Sequence, residues 1–292
     1  MSAMNSQTHT HRETCTSYRI LPLNAVSLPD NYIWLLRRDM CDACDGCAAV
    51  AVVDPGEAQA VLDYLQREKL QLTDVLITHH HADHVGGVVA LRRQFPQLRV
   101  HGPAAEAIEG VTERLKDGDV VDLPRLGVQF QVLAVPGHTL GHITYYDPNY
   151  PAGGVLFSGD TLFSAGCGRV FERTMAQMQH SLARLRALPE ATQVYCAHEY
   201  TAANLRFALA VEPGNPAVAE RMAQVAKLRA DGRPSLPTTL ALERQINPFL
   251  RWDESAVQQA AVEFERRGEK SPLDVTDPVT VFAAIRAWKN VF

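Results

Sequence analysis

The sequence predicts an α/β protein that ends in a purely helical part, and two observations carry that reading. From about residue 20 to 198, short apolar runs closed by Gly, Pro or a polar turn alternate with stretches whose apolar residues recur at helical spacing. After Tyr200 the strand signals stop and only helical spacing continues to Phe292. The 292 residues suffice for one large core or two smaller ones, and 46% hydrophobic with 21% charged residues is an ordinary globular composition.

Residues 1–19 are polar, carry Glu13 and lack an apolar stretch, so they are expected to be a disordered extension rather than a secretory signal. Cys41, Cys44 and Cys47 stand at metal-type spacing without an evident fourth ligand nearby. They are read as an exposed loop, with a redox or metal-scavenging loop as the alternative. Ala58, Val61, Leu62 and Leu65 mark a helix, and Val75-Leu76-Ile77 a buried strand. Val88, Leu91 and Phe95 mark a second helix. Val132-Leu133-Ala134-Val135, Gly154-Val155-Leu156-Phe157 and Gln193-Val194-Tyr195-Cys196 read as further strands. Met175, Met178, Leu182 and Leu185 are helical core positions, not a ligand stripe. Asn215-Pro216 caps a helix that Gly232 ends, with Val218, Met222, Val225 and Leu228 on one side. Residues 232–237 form a loop, and Asp277-Pro278 opens a last helix with Val281, Ile285 and Trp288 facing inward.

The chemistry lies at the strand ends. Val75-Leu76-Ile77 runs into Thr78-His79-His80-His81-Ala82-Asp83-His84-Val85-Gly86-Gly87. Three later strands run into Pro136-Gly137-His138-Thr139, Ser158-Gly159-Asp160-Thr161 and Ala197-His198-Glu199-Tyr200. Imidazole and carboxylate are the ligands of zinc and similar divalent ions. Four strand ends that each carry such a group can gather along one sheet edge, where open sheets bind ligands.

This pattern, Thr-His-x-His-x-Asp-His followed by Gly-His-Thr, Gly-Asp and His, resembles the metallo-β-lactamase superfamily. Within it the chain is similar to the glyoxalase II, or hydroxyacylglutathione hydrolase, family. Asn31-Tyr32-Ile33-Trp34, Val53-Asp54-Pro55-Gly56, Gly137 to His142, Phe163 to Arg169 and His198-Glu199-Tyr200 carry the match, which spans about residues 20–292. The resemblance implies an αββα metallo-β-lactamase sandwich over 20–198 and a C-terminal α-helical, glutathione-binding domain over 199–292. It implies that His79, His81 and His138 hold one metal ion, that Asp83, His84 and His198 hold another, and that Asp160 bridges them. The cofactor is then two divalent metal ions, zinc first, with iron or manganese as alternatives. Asp83 and Asp160 are the catalytic carboxylates. His142 and Asp54 are read as supports of the ligands, and His80 as pointing away from them.

The activity implied is hydrolysis of S-(2-hydroxyacyl)glutathione, chiefly S-D-lactoylglutathione, by a hydroxide bridging the two ions, as in methylglyoxal detoxification. Arg169, Phe171, Tyr200, Arg286 and Lys289 are the implied substrate contacts. Arg286 and Lys289 stand at i and i+3 and so share a helix face. Arg169 takes the place of a lysine common in the family, Phe171 that of a tyrosine found in some members, and Arg173 that of a glycine. The alternative is a mononuclear iron persulfide dioxygenase of the same fold. A net charge of −5 gives no support to nucleic-acid binding, and no apolar stretch approaches the ~20 residues of a membrane span. The resemblance further implies a monomer acting on a small-molecule glutathione thioester, and with nothing to suggest export the cytoplasm is the expected compartment.

Overall fold

The computed structural model describes residues 18–24, 27–38, 48–151, 153–268 and 273–292. The expected N-terminal extension, apart from its last two residues, and the Cys41/Cys44/Cys47 loop lie outside the described residues. Within them, one six-stranded sheet runs in the order β1 (Tyr18–Asn24), β2 (Tyr32–Arg38), β3 (Ala49–Val53), β4 (Gln71–Leu76), β5 (Arg99–Pro103) and β6 (Glu113–Leu115). Pairing is antiparallel from β1 to β3 and parallel from β3 to β6. A second sheet contains β7 (Val120–Leu123), β8 (Val128–Ala134), β9 (Ile143–Asp147) and β10 (Val155–Gly159). A two-stranded hairpin follows, β11 (Leu162–Phe163) and β12 (Gly166–Cys167). The second sheet is completed by β13 (Gln193–Cys196), parallel to β10, and β14 (Thr238–Thr239), antiparallel to β13.

Alternation along the strands builds the layers, because successive side chains in a strand point to opposite faces. Trp34 and Leu36 of β2 join Ala51 and Val53 of β3 in a core with Phe130, Val132, Tyr145, Val155 and Phe157 of the second sheet. Their neighbours Ile33, Leu35, Val50 and Val52 face the other way, against Val61 and Leu65 of α1 (Gln59–Glu68). After the short α2 (Ala82–Val85), α3 (Val88–Gln94) adds Val88 and Leu91 to that layer. Leu156 and Val194, on the outer face of the second sheet, pack on Met178, Leu182 and Leu185 of α4 (Met175–Arg186). The result is the expected αββα sandwich.

The remaining α-helices among the described residues are α5 (Thr201–Val211), α6 (Pro216–Ala230), α7 (Leu240–Ile246), α8 (Ser255–Arg267) and α9 (Pro278–Val291). Asn215 caps α6 through the amides of Ala217 and Val218, and Asp277 caps α9 through those of Val279 and Thr280, as the Asn-Pro and Asp-Pro pairs foretold. Val281, Phe282 and Ile285 of α9 share one cluster with Leu182 of α4 and Val194 of β13, so the helical part is fused to the second sheet. One difference from the sequence reading is β14, a strand beyond Tyr200. Two residues are too few to leave a period-2 pattern, and only pairing with Gln193 and Val194 makes them a strand. No helix among the described residues is long and apolar enough to cross a membrane.

Candidate metal centre

The loops after β4, β8, β10 and β13 converge as the strand-end pattern requires, because backbone bonds tie them together. Thr78 O accepts from Ile143 N, at the end of the loop after β8, at 3.0 Å, and Gly159 O accepts from Ala197 N at 3.3 Å. Two glycines permit the close approach: a Cβ on Gly56 would lie 2.0 Å from Asp83 O, and one on Gly168 would lie 2.0 Å from Asp160 O.

His79, His81 and His138 bring ligand-type atoms within 4.8 Å of one another, and so do Asp83, His84 and His198. Asp160 stands between the two groups. Its Oδ2 lies 3.4 Å from His138 Nε2, while its Oδ1 lies 3.5 Å from His84 Nε2 and 3.2 Å from His198 Nε2. Asp83 Oδ2 is 3.6 Å from His198 Nε2 and 3.8 Å from His84 Nε2. All seven residues expected to hold metal are thus brought together.

The proton inventory shows that this arrangement suits cations. Thr78 Oγ1 gives its proton to Asp54 Oδ2, so it accepts from His79 Nδ1 at 3.1 Å and leaves His79 Nε2 with a bare lone pair. His138 Nδ1 donates to Arg169 O at 2.8 Å, which leaves His138 Nε2 bare as well. Both Nε2 atoms face His81 Nδ1 at 3.1 Å, where a single proton can satisfy only one of them. Buried His84 Nε2 and Asp160 Oδ1 have no hydrogen-bond partner among the described residues. Buried polar groups are rarely left so. A divalent ion in each cluster would complete every one of these atoms.

Electrostatics favour neutral rings in the His79–His81–His138 cluster and a charged one at His84. Burial pushes His79 well below the ordinary imidazole range and lowers His138 and His81, which keeps all three rings neutral and able to coordinate. Burial also opposes charge on His84, but Asp160 and Asp54 outweigh it and hold its pKa up at about 9 in the ion-free protein. Asp160 is depressed despite its burial, because His84, His198 and His138 surround it.

Other residues fix these ligands in place. Asp54 Oδ2 lies 3.1 Å from His84 Nδ1, and its Oδ1 accepts from Thr78 N at 2.8 Å. His142 Nε2 accepts from Asp160 N at 3.1 Å, and its ring stacks on His79 with centroids 4.7 Å apart. Asn31 Nδ2 donates to Asp83 O at 3.0 Å, a role the sequence reading did not assign. Glu199, also unassigned there, accepts from Tyr32 Oη and from Ser235 N and Oγ, tying the residue after His198 to the 232–237 loop. His80 turns from the ligand clusters toward Glu106 and Glu172. Neither glutamate was assigned a role from the sequence, since each sits in an ordinary loop away from the ligand motifs.

The expected substrate contacts divide into two groups. Phe171 and Tyr200 are exposed at the mouth of the cluster, with Phe171 5.4 Å from the His138 ring and Tyr200 stacked on His198 at 4.7 Å. Arg169 lies beside Phe171, its Cζ 5.9 Å from the ring. Arg286, by contrast, is set into the fold beneath this mouth. It is 5% exposed, donates to Cys167 O at 3.1 Å and lies over the Phe249 ring, because α9 packs inward along this face. Lys289 is partly buried and reaches Ala203 O at 3.5 Å. Burial, with Arg286 and Arg206 nearby, lowers its pKa to about 8.

Residues 44–198 match the family model described as the metallo-beta-lactamase superfamily, and residues 199–292 match that described as hydroxyacylglutathione hydrolase C-terminus. The hydroxyacylglutathione hydrolase of Pseudomonas putida strain KT2440 is 55% identical over 264 residues, 90% of this chain and 96% of the relative. That of Vibrio cholerae serotype O1 is 51% identical over 263 residues, with the same two coverages. Among solved structures, TTHA1623 in a di-iron-bound form aligns with TM-score 0.52 and 27% identity, over 79% of this chain and all of that one. With its sandwich, its clustered histidines and aspartates and its helical tail, the chain belongs to the hydroxyacylglutathione hydrolase family of the metallo-β-lactamase superfamily.

Proposed function

We propose that the chain hydrolyses S-(2-hydroxyacyl)glutathione, chiefly S-D-lactoylglutathione, to glutathione and D-lactate at a pair of divalent cations. The observation that carries the reading is two adjacent donor clusters sharing Asp160, in a chain about half identical to hydroxyacylglutathione hydrolases. His79, His81 and His138 would hold one cation, Asp83, His84 and His198 the other, and Asp160 both. When bound, the cations polarise a carbonyl and lower the pKa of water from 15.7 to about 7, which supplies a nucleophile near neutral pH. Imidazole and carboxylate suit zinc, iron and manganese alike, and zinc is the ion proposed.

The chain's own residues then bind, orient and exclude. Asp83, steadied by Asn31, turns a carboxylate toward the second cluster and orients the attacking water. Phe171 and Tyr200 wall the opening against bulk solvent, while Arg169, Arg286 and Lys289 supply cations for the carboxylates of glutathione. The glutathione thiol has an ordinary pKa near 8.5, so its thiolate leaves without a strong general acid. That accounts for a site without a Ser or Cys nucleophile.

In this division of labour residues 20–198 carry the chemistry and contribute Arg169 and Phe171 to the substrate, while 199–292 supply the rest of the recognition of glutathione. The chain would act as a cytoplasmic monomer in methylglyoxal detoxification. A mononuclear iron dioxygenase would have no use for the second set formed by Asp83, His84 and His198. The test is metal analysis alongside loss of thioester ultraviolet absorbance with lactoylglutathione, comparing Asp160→Ala and Arg286→Ala. The first should abolish turnover and the second chiefly raise KM. Equal loss of kcat in both at saturating substrate would contradict the roles.

A further inference from the structure

A third cluster lies on the lip of the opening. His80, His81 and Glu172 bring ligand-type atoms within 4.8 Å of one another. His80 Nε2 lies 3.6 Å from Glu172 Oε1, too far for a hydrogen bond. Two ligands of one tetrahedral ion, bound at 2.0–2.2 Å, stand about 3.4 Å apart. The nitrogen–oxygen separations around Asp160 are of that kind, 3.2 to 3.5 Å.

Behind His80 sits Glu106, whose side chain is 3% exposed. Its Oε1 accepts from Thr139 Oγ1 and from Gly141 N. Its Oε2 has no hydrogen-bond partner among the described residues and lies 3.2 Å from His80 Nδ1. Asp54 stands in the same relation to His84 Nδ1, at 3.1 Å. A carboxylate behind a ring nitrogen whose partner nitrogen faces outward is the usual support of a metal-bound histidine. A buried, unpartnered carboxylate oxygen also calls for positive charge nearby. Glu172, with its Oε2 held by Leu140 N at 2.7 Å, presents Oε1 to the gap.

From this geometry we infer an accessory divalent-cation site formed by His80, Glu172 and His81, with Glu106 as the group that orients His80. His81 is common to this cluster and to the His79–His81–His138 triplet, and it is the least buried of that triplet. A cation bound at the lip therefore competes for His81, and the site is inhibitory, filling only when the ion is in excess. The inference rests on the metal-loaded reading above.

The experiment uses the full-length metal-loaded protein, with zinc as the probe. Equilibrium dialysis across a range of free zinc counts bound ions, and lactoylglutathione turnover is read at each concentration. Wild type is compared with His80→Asn, Glu172→Gln and Glu106→Gln. The expected result is one further equivalent in wild type at high zinc, accompanied by reversible loss of kcat. His80→Asn and Glu172→Gln should lack both, and Glu106→Gln should weaken both by about tenfold. An unchanged zinc count in wild type at excess, or the same further equivalent in His80→Asn and Glu172→Gln, would overturn the site. A further equivalent without loss of turnover would overturn its inhibitory role. Each comparison is between wild type and variant at equal free zinc, so it holds whether the inner clusters carry one ion or two. Asp160→Ala reports on that separate question.

Discussion

Asp160 is the residue on which the site turns, because its two carboxylate oxygens face different histidines. Replacing it with alanine should remove turnover and lower the bound metal, as elemental analysis and thioester hydrolysis would register. Asp54→Asn touches no proposed substrate position, yet it removes the charge beside His84 Nδ1. It should cost about 10–100-fold in affinity for the second ion, read by competition with a chelator. Lys289 gives a pH signature. Its pKa is depressed to about 8, so the cation is present below that pH and lost above it. A hydrogen bond to a charged group is worth about 1.5–3 kcal/mol, so KM should rise about tenfold at high pH while kcat stays level. Lys289→Arg, whose guanidinium stays charged, should flatten the KM profile; an unchanged profile in that variant would remove Lys289 from substrate binding.

At the scale of elements, the strand ends do the positioning and the layers hold the strands. Phe157 of β10 is fully buried between the sheets, two residues before the turn that leads to Asp160. Phe157→Ala should cost about 3–5 kcal/mol in urea unfolding, because the rigid layers cannot close the cavity. Asn215, which caps α6 and is neither a proposed ligand nor a proposed substrate contact, should cost only about 1 kcal/mol as alanine and leave kcat unchanged. These elements were legible in sequence where the pattern is local and long enough. Val218, Met222, Val225 and Leu228 mark a helix, and each ligand motif follows its own apolar run. Thr238–Thr239 was not legible, because two residues carry no period and only tertiary pairing makes them a strand. The inward turn of Arg286 escaped for a related reason: spacing gives the shared face of α9 but not what packs against it.

At the scale of the whole molecule, two sheets close over an apolar core while their strand ends and the helical tail enclose a polar centre. Supports such as Glu106, Asn31 and Glu199 act across chain separations of 26 or more residues, so no local motif announces them. The apolar core does not depend on the ions, so stripping metal with a chelator should abolish hydrolysis while far-ultraviolet circular dichroism stays close to native. Collapse of that signal on metal removal would assign the ions a folding role instead. The most direct test of the account is metal content and lactoylglutathione hydrolysis measured on the same purified sample as ions are added back to the stripped protein. Full activity should require two ions per chain. Full activity with a single ion, or with none, would contradict it.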